Sequence, residues 1–183
     1  MTEKPDMVAA VPDSGNCFGS SLSYHVGVES VPALLRNHYP GRVFIVEGDR
    51  KLLTKRKISI DSHAVRGKHL LIADDSSVRG TTAAELVERC YAAGAARVDM
   101  AISFPLWSHP CKYGINTKSA NELLGARVSS LEDAAVAVGA KKFYAPTPVE
   151  VRRAIMGASR FHLRENDLCM ACVTGDYPIS VVV

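Results

Sequence analysis

The chain has 183 residues, 47% hydrophobic and 22% charged, the profile of one ordinary globular domain and not of a disordered or collagen-like chain. Twenty-two Lys and Arg against 19 Asp and Glu leave a net charge of +3, too small an excess to call for nucleic acid, so any polyanionic ligand has to meet a local patch. No apolar stretch approaches the roughly 20 residues that cross a bilayer, and the first residues, MTEKPD, hold no apolar signal core, so a cytoplasmic protein without membrane contact is expected.

Residues 7–11 make a short buried strand that runs into the turn formers Pro12, Asp13, Ser14, Gly15 and Asn16. Phe18, Leu22 and Val26 recur every four residues, one face of a helix closing at Gly27. Residues 43–46 predict a second strand, left through Glu47, Gly48 and Asp49. Residues 68–73 predict a third strand, followed by the polar run Asp74, Asp75, Ser76, Ser77, Val78, Arg79, Gly80, Thr81, Thr82. A helix with apolar Ala84, Leu86, Val87 and Tyr91 stops at Gly94, and residues 96–103 return as a strand. Residues 68–103 are therefore a βαβ unit whose polar loop lies at a strand's carboxyl end, where ligands bind in such sheets. Farther on, residues 130–138 predict a helix ended by Gly139, and residues 142–145 a strand. Thr147, Pro148 and Glu150 then form a capping box opening a third helix that stops at Gly157. The alternation predicts an α/β fold with a mainly parallel sheet flanked by helices, in one domain over residues 1–183.

The polar run after residue 73 has two halves with different preferences. Backbone N–H groups at Gly80, Thr81 and Thr82, at a helix start and among hydroxyls, suit a phosphate monoester. Asp74 and Asp75 would repel that phosphate and suit sugar hydroxyls or a hard cation such as Mg²⁺. A phosphorylated ribose satisfies both halves, whereas an isolated Asp pair or a lone Arg-Gly-Thr-Thr would be only a cap and a turn.

Arg50, Lys51, Lys55, Arg56 and Lys57 place five cations in eight residues with no acid among them. A run of this kind is ordinarily a solvated edge, but it also suits an anionic leaving group. The five cysteines, an odd number with no export signal, argue against a disulfide framework. Cys169 and Cys172 are a CxxC pair able to grip a metal or to act as a redox couple, and Cys90, on the helix after the polar run, is expected in the core. His25, His38, His63, His69 and His162 show no partner pattern and are expected to be structural.

The string LLIADDSSVRGTT, residues 70–82, resembles the phosphoribosyl pyrophosphate loop of the type I phosphoribosyltransferases, in its amidophosphoribosyltransferase form. The resemblance extends to VPDSGN at 11–16, GRVFI at 41–45, Arg50 with 55–57, PCKYGIN at 110–116 and CMACVTGDYP at 169–178. It implies the type I phosphoribosyltransferase fold, with Asp74 and Asp75 on the ribose hydroxyls and Mg²⁺. Val78, Arg79, Gly80, Thr81 and Thr82 would cradle the 5-phosphate, with Ser76 and Ser77 in the same loop. Asp13, Ser14 and Gly15 match the segment near the pyrophosphate, Ser14 as a metal contact, while Lys57 and Arg50 match the pattern of the basic loop that stabilises the leaving group. The catalytic set implied is Lys57, Arg50, Asp74 and Asp75.

Some family members hold a four-iron four-sulfur cluster, and Cys111, Cys169 and Cys172 match three of its four ligand positions; Cys17 or His109 is the candidate to complete the site. Full-length members also carry an amino-terminal glutaminase domain, for which no room precedes the strand at Met7, so free ammonia, a separate glutaminase subunit or another amine is expected as nitrogen source. The expected activity converts phosphoribosyl pyrophosphate and ammonia to 5-phosphoribosylamine and pyrophosphate, as in purine biosynthesis, in a homo-oligomer. The alternatives are a phosphoribosyltransferase with another acceptor, such as a nucleobase, or a non-catalytic subunit that senses phosphoribosyl pyrophosphate.

Overall fold

A computed structural model describes residues 3–37, 58–164 and 167–179. Five strands form one wholly parallel sheet: β1 (Met7–Ala10), β2 (Glu29–Ser30), β5 (His69–Asp74), β6 (Arg97–Ile102) and β7 (Phe143–Tyr144), in the order β2-β1-β5-β6-β7. A separate antiparallel pair is made by β3 (Leu34–Arg36) and β4 (Ile58–Ile60). The strand expected at residues 43–46 and the cationic run from Arg50 to Lys57 lie outside the described residues.

Side chains alternate across the sheet, as period-two strands require. On β5, Leu70 and Ile72 join one apolar layer, while Leu71 and Ala73 join the other. The first layer is closed by helix α3 (Thr81–Ala92), through Ala83, Leu86, Val87 and Cys90, and by α5 (Leu131–Val138), through Ala134, Ala135 and Val138. The second is covered by α1 (Asn16–Val26), through Phe18 and Leu22. The buried stripe of α3 thus follows the i, i+3, i+4, i+7 spacing from Ala83 to Cys90. Tyr91, expected on that stripe, is 39% exposed and takes the N–H of Val98 on its hydroxyl at 3.2 Å.

Helix ends follow their caps. Gly27 and Gly139 close α1 and α5 in the left-handed conformation, and the Ser130 hydroxyl accepts the Asp133 N–H at 3.0 Å. The capping box opens α6 (Pro148–Ala158), with Glu150 Oε2 accepting the Thr147 N–H at 2.7 Å. Gly157 does not terminate α6. Its φ is not positive, and the helix leaves through Ser159, in extended conformation, after the Ser159 N–H closes on the Ile155 carbonyl at 3.0 Å. Three one-turn helices, α2 (Ser62–Val65), α4 (Leu124–Arg127) and α7 (Ala171–Thr174), and a 3₁₀ turn at Ala120–Glu122 complete the described elements.

The chain leaves β1 toward β2 and leaves β5 toward β6 and β7, in opposite directions along the sheet. β1 and β5 are neighbours, with Ala10 opposite Ala73. Their carboxyl ends therefore flank the point where the winding direction reverses, the place where open α/β sheets bind ligands.

Candidate active site

Both loops singled out in the sequence meet at this switch point. The Val11 N–H donates to the Ala73 carbonyl at 2.8 Å, carrying the β1–β5 ladder past the last paired residues before the chain turns. The Pro12–Asp13 peptide bond is cis. Ser14 donates from its hydroxyl to Asp74 Oδ1 at 3.1 Å, and Asp13 Oδ2 accepts Arg36 Nη1 at 2.6 Å. Gly15 caps α1 and sits so close to β5 that a Cβ there would fall 2.4 Å from the Ala73 carbonyl oxygen. A side chain at residue 15 would force the two loops apart.

Asp74 ends β5 and is only 8% exposed. Its Oδ1 also accepts the Asp75 N–H at 2.9 Å. Burial pushes the Asp74 carboxyl up to about 6 and the Asp75 charge pushes the same way, against the hydrogen bonds from the Asp75 N–H and the Ser14 hydroxyl. Asp75 is exposed, and its carbonyl is fixed by the Ser103 hydroxyl at 3.0 Å. A buried carboxyl that its neighbours make reluctant to ionise, beside a second, exposed acid, is a donor set that a hard cation would bring into the charged form, with Ser14 as a neutral oxygen beside it. Asp74, Asp75 and Ser14 thus fit Mg²⁺.

The other half of the loop closes around a concavity of about 200 Å³ lined by Asp74 and residues 76–83. Gly80, with φ of 77°, brings the chain into α3, and the packing of Leu124 leaves only 3.2 Å to a Cβ at that position. No side chain caps α3 and no acid occupies its first turn. The amino-terminal N–H groups of this 12-residue helix are therefore open to an anion, and the dipole favours one. Within the same concavity the Ser77 hydroxyl oxygen is buried without a hydrogen-bond partner among the described residues. A phosphate oxygen would give that hydroxyl its acceptor.

The back of the loop is braced by the segment after residue 115. Leu124 N–H donates to the Val78 carbonyl at 2.8 Å and Arg127 Nη2 to the Arg79 carbonyl at 2.7 Å. The Arg79 guanidinium donates to Glu122 Oε2 at 2.7 Å and to the Asn116 carbonyl at 2.8 Å. Arg36, Ser103, Glu122 and Arg127 were not signalled by the sequence. Each reaches the site from a distant segment through a tertiary contact that leaves no local pattern.

Cys111, Cys169 and Cys172 belong to two segments that dock on each other. The Cys172 carbonyl accepts the N–H groups of Ser108 and His109, each at 2.9 Å, and the Tyr177 hydroxyl donates to the Pro110 carbonyl at 2.5 Å. Burial raises the Cys172 thiol above the ordinary thiol range, with smaller upward contributions from Cys169 and Cys111. Cys111 Sγ accepts the Tyr113 N–H at 3.3 Å. Yet among the described residues no group of three or more His, Cys, Asp or Glu side chains is arranged to hold a metal ion. Of the two candidates for a fourth ligand, Cys17 is exposed on α1, whereas His109 has its Nδ1 buried without a hydrogen-bond partner among the described residues. Cys90 is core, its thiol pushed up to about 11 by burial. His69, expected to be merely structural, lies 3.0 Å from the buried Asp99 at the amino end of the sheet, away from the site.

The mainly parallel sheet with flanking helices, and its switch point between β1 and β5, is the fold of the type I phosphoribosyltransferases. No family model matches the chain. It is 34% identical over 178 residues to an amidophosphoribosyltransferase of Methanocaldococcus jannaschii, covering 96% of this chain and 36% of that protein. It is 35% identical over 186 residues to chloroplastic amidophosphoribosyltransferase 2 of Arabidopsis thaliana, covering 98% and 32%. Among solved structures, the glutamine phosphoribosylpyrophosphate amidotransferase of B. subtilis, complexed with ADP and GMP, superposes with a TM-score of 0.81 at 32% identity, covering 97% of this chain and 39% of that one. The chain is homologous over nearly its whole length to the transferase part of the amidophosphoribosyltransferases, and spans about a third of the length of these curated relatives. No helix among the described residues is long and apolar enough to cross a membrane.

Proposed function

We propose that the chain transfers the 5-phosphoribosyl group of phosphoribosyl pyrophosphate to ammonia, releasing pyrophosphate and forming 5-phosphoribosylamine. The observation that carries this reading is the meeting of an uncapped α3 amino terminus with the buried Asp74 at one strand end, a phosphate site and a diol site side by side. The similarity to amidophosphoribosyltransferases supports the same reading.

In this reading the 5-phosphate docks on the N–H groups of Gly80, Thr81 and Thr82 and on the Ser77 hydroxyl, and Asp74 and Asp75 orient the ribose hydroxyls. Mg²⁺, with Asp74, Asp75 and Ser14 as its proposed protein ligands, supplies charge neutralisation for the pyrophosphate. Asp13, Ser14 and Gly15 border the pyrophosphate end. Lys57 and Arg50, outside the described residues, are proposed to neutralise the leaving group. The C1–N bond forms as the C1–O bond to pyrophosphate breaks, and the proton lost from nitrogen goes to solvent. Ammonia needs no deprotonation before attack, so the side chains contribute position and charge rather than a general base. The ammonia is free or delivered by a glutaminase.

Steady-state assays with ammonium against a panel of nucleobases, with the phosphoribosyl product identified by mass, test the acceptor. Turnover with ammonium and none with bases supports the proposal. The reverse pattern moves the chain to a nucleobase-specific transferase, and ligand binding without pyrophosphate release under any acceptor makes it a sensor.

A further inference from the structure

The side chain of Arg79 lies in the middle of the phosphate loop, where a guanidinium would ordinarily be read as a phosphate ligand. Two of its donors are turned away from the concavity toward the segment behind the loop. Nε meets Glu122 Oε2 at 2.7 Å, and Nη2 meets the Asn116 carbonyl at 2.8 Å. Glu122 is itself held: its Oε1 accepts the N–H groups of Lys118 and Ser119, closing a capping box on the 3₁₀ turn. These N–H donors and the Arg79 guanidinium hold its carboxyl below the usual range, so it stays ionised wherever the protein is folded near neutral pH. The same turn feeds directly into Leu124, whose N–H takes the Val78 carbonyl, and into Arg127, which takes the Arg79 carbonyl. Two successive peptide carbonyls of the loop, at 78 and 79, are therefore turned backward and fastened. Because peptide units are planar, fastening those carbonyls behind the loop sets the direction of the N–H groups that follow them, at Arg79 and Gly80.

We infer that Glu122 is a positioning residue for the 5-phosphate, acting through Arg79, and that the Arg79 guanidinium is a strut of the phosphate loop and not a ligand of the phosphate. This deepens, and rests on, the reading of residues 74–82 as a phosphoribosyl pyrophosphate site. A preformed loop spares the ligand the cost of ordering it, so the strut should act on binding of the 5-phosphate end and little on the rate of the bound complex.

The test is Glu122→Gln, which keeps an oxygen for the Lys118 and Ser119 N–H groups but sets an amide N–H₂ against the Arg79 donor. Calorimetric titration with ribose 5-phosphate and with the magnesium complex of phosphoribosyl pyrophosphate is expected to show about tenfold weaker binding, and the KM for the latter to rise by a similar factor with kcat within about twofold. Binding of magnesium pyrophosphate, which uses the other end of the site, and the thermal midpoint should stay as in the unchanged protein. Arg79→Gln, which also loses the Asn116 contact, should weaken binding at least as much, and the double variant no further than Arg79→Gln, because the Glu122 contact is common to both. Binding by Glu122→Gln that is unchanged, or tighter as if a guanidinium had been released to the phosphate, would overturn the inference. So would equal weakening toward pyrophosphate and ribose 5-phosphate, or a fall in thermal midpoint that accounts for the loss. Failure of the unsubstituted chain to bind either ribose 5-phosphate or phosphoribosyl pyrophosphate would instead overturn the site reading itself, and the strut with it.

Discussion

The hydroxyl of Ser14 donates to Oδ1 of Asp74 at 3.1 Å, joining two strand-end loops 60 residues apart in sequence. It makes the β1 and β5 loops one site: a shift of either backbone breaks the contact on which the Asp74 carboxyl is oriented.

Gly15 controls that join. A Cβ would lie 2.4 Å from the Ala73 carbonyl oxygen, 2.9 Å from that of Val11 and 3.0 Å from the Asp74 Cα, all backbone atoms that cannot rotate away. Gly15 has φ of −78°, so sterics and not conformational freedom require the glycine. Gly15→Ala is expected to cost about 3 kcal/mol in a urea titration, as overpacking does. It should also weaken binding of magnesium phosphoribosyl pyrophosphate by at least about tenfold, since Asp74 moves with the strand end.

Asp74 sets function against stability. Burial raises its carboxyl from 3.8 to about 6, so between those values the folded chain holds a proton that the unfolded chain has lost. Stability contributed by this group therefore falls as pH rises through that window, and above about pH 6 its charge is a full drag of at most ~3 kcal/mol. Asp74→Asn keeps an oxygen for both the Ser14 and Asp75 donors and removes the charge. Scanning calorimetry without metal or ligand should find Asp74→Asn melting above the unsubstituted protein at pH 7.5, with the difference vanishing toward pH 4. The same variant should bind magnesium phosphoribosyl pyrophosphate far more weakly.

At the opposite end of the sheet Asp99, 2% exposed, accepts Arg97 Nε and Nη2 at 3.0 Å each and lies 3.0 Å from His69 Nε2. Removing the carboxylate takes the acceptor from Nε and Nη2 of the largely buried Arg97 and leaves only the exposed Glu3 on its Nη1. Asp99→Ala is expected to lose about 3 kcal/mol of unfolding free energy, measured in urea, while ligand affinity of the folded protein is unchanged. A specific loss of affinity would place Asp99 in the ligand's reach, contrary to its position at the amino end of β6.

What could be read in the sequence had local cause. Residues 68–103 announced their βαβ unit because an apolar run, a glycine-marked turn and a 3.6-residue stripe follow one another without interruption, and Thr147 with Glu150 announced α6 through a cap that lies within four residues. β2, of two residues, and the pair β3–β4, of three each, were not legible, since strands so short owe their state to their partners. Tyr91 was misplaced because an aromatic at the end of an amphipathic stripe can lie at its border with its hydroxyl bonded. In the site, Asp74 to Thr82 and Asp13 to Gly15 are each contiguous and so stood out as strings, whereas Glu122, Arg127 and Arg36 join them only in three dimensions. The thiols are the converse case: the CxxC spacing was plain, but spacing alone does not arrange Cys111, Cys169 and Cys172 into a metal-holding group.

The assignment of residues 74–82 as the phosphoribosyl pyrophosphate site is tested most directly by pyrophosphate release. The unsubstituted chain should release pyrophosphate from phosphoribosyl pyrophosphate when Mg²⁺ and ammonium are both supplied, and the Asp74→Asn/Asp75→Asn variant, folded by circular dichroism, should lose at least about a hundredfold in kcat/KM, as removal of preorganised charge at a reacting centre does. Release by the double variant at the rate of the unsubstituted chain would contradict it.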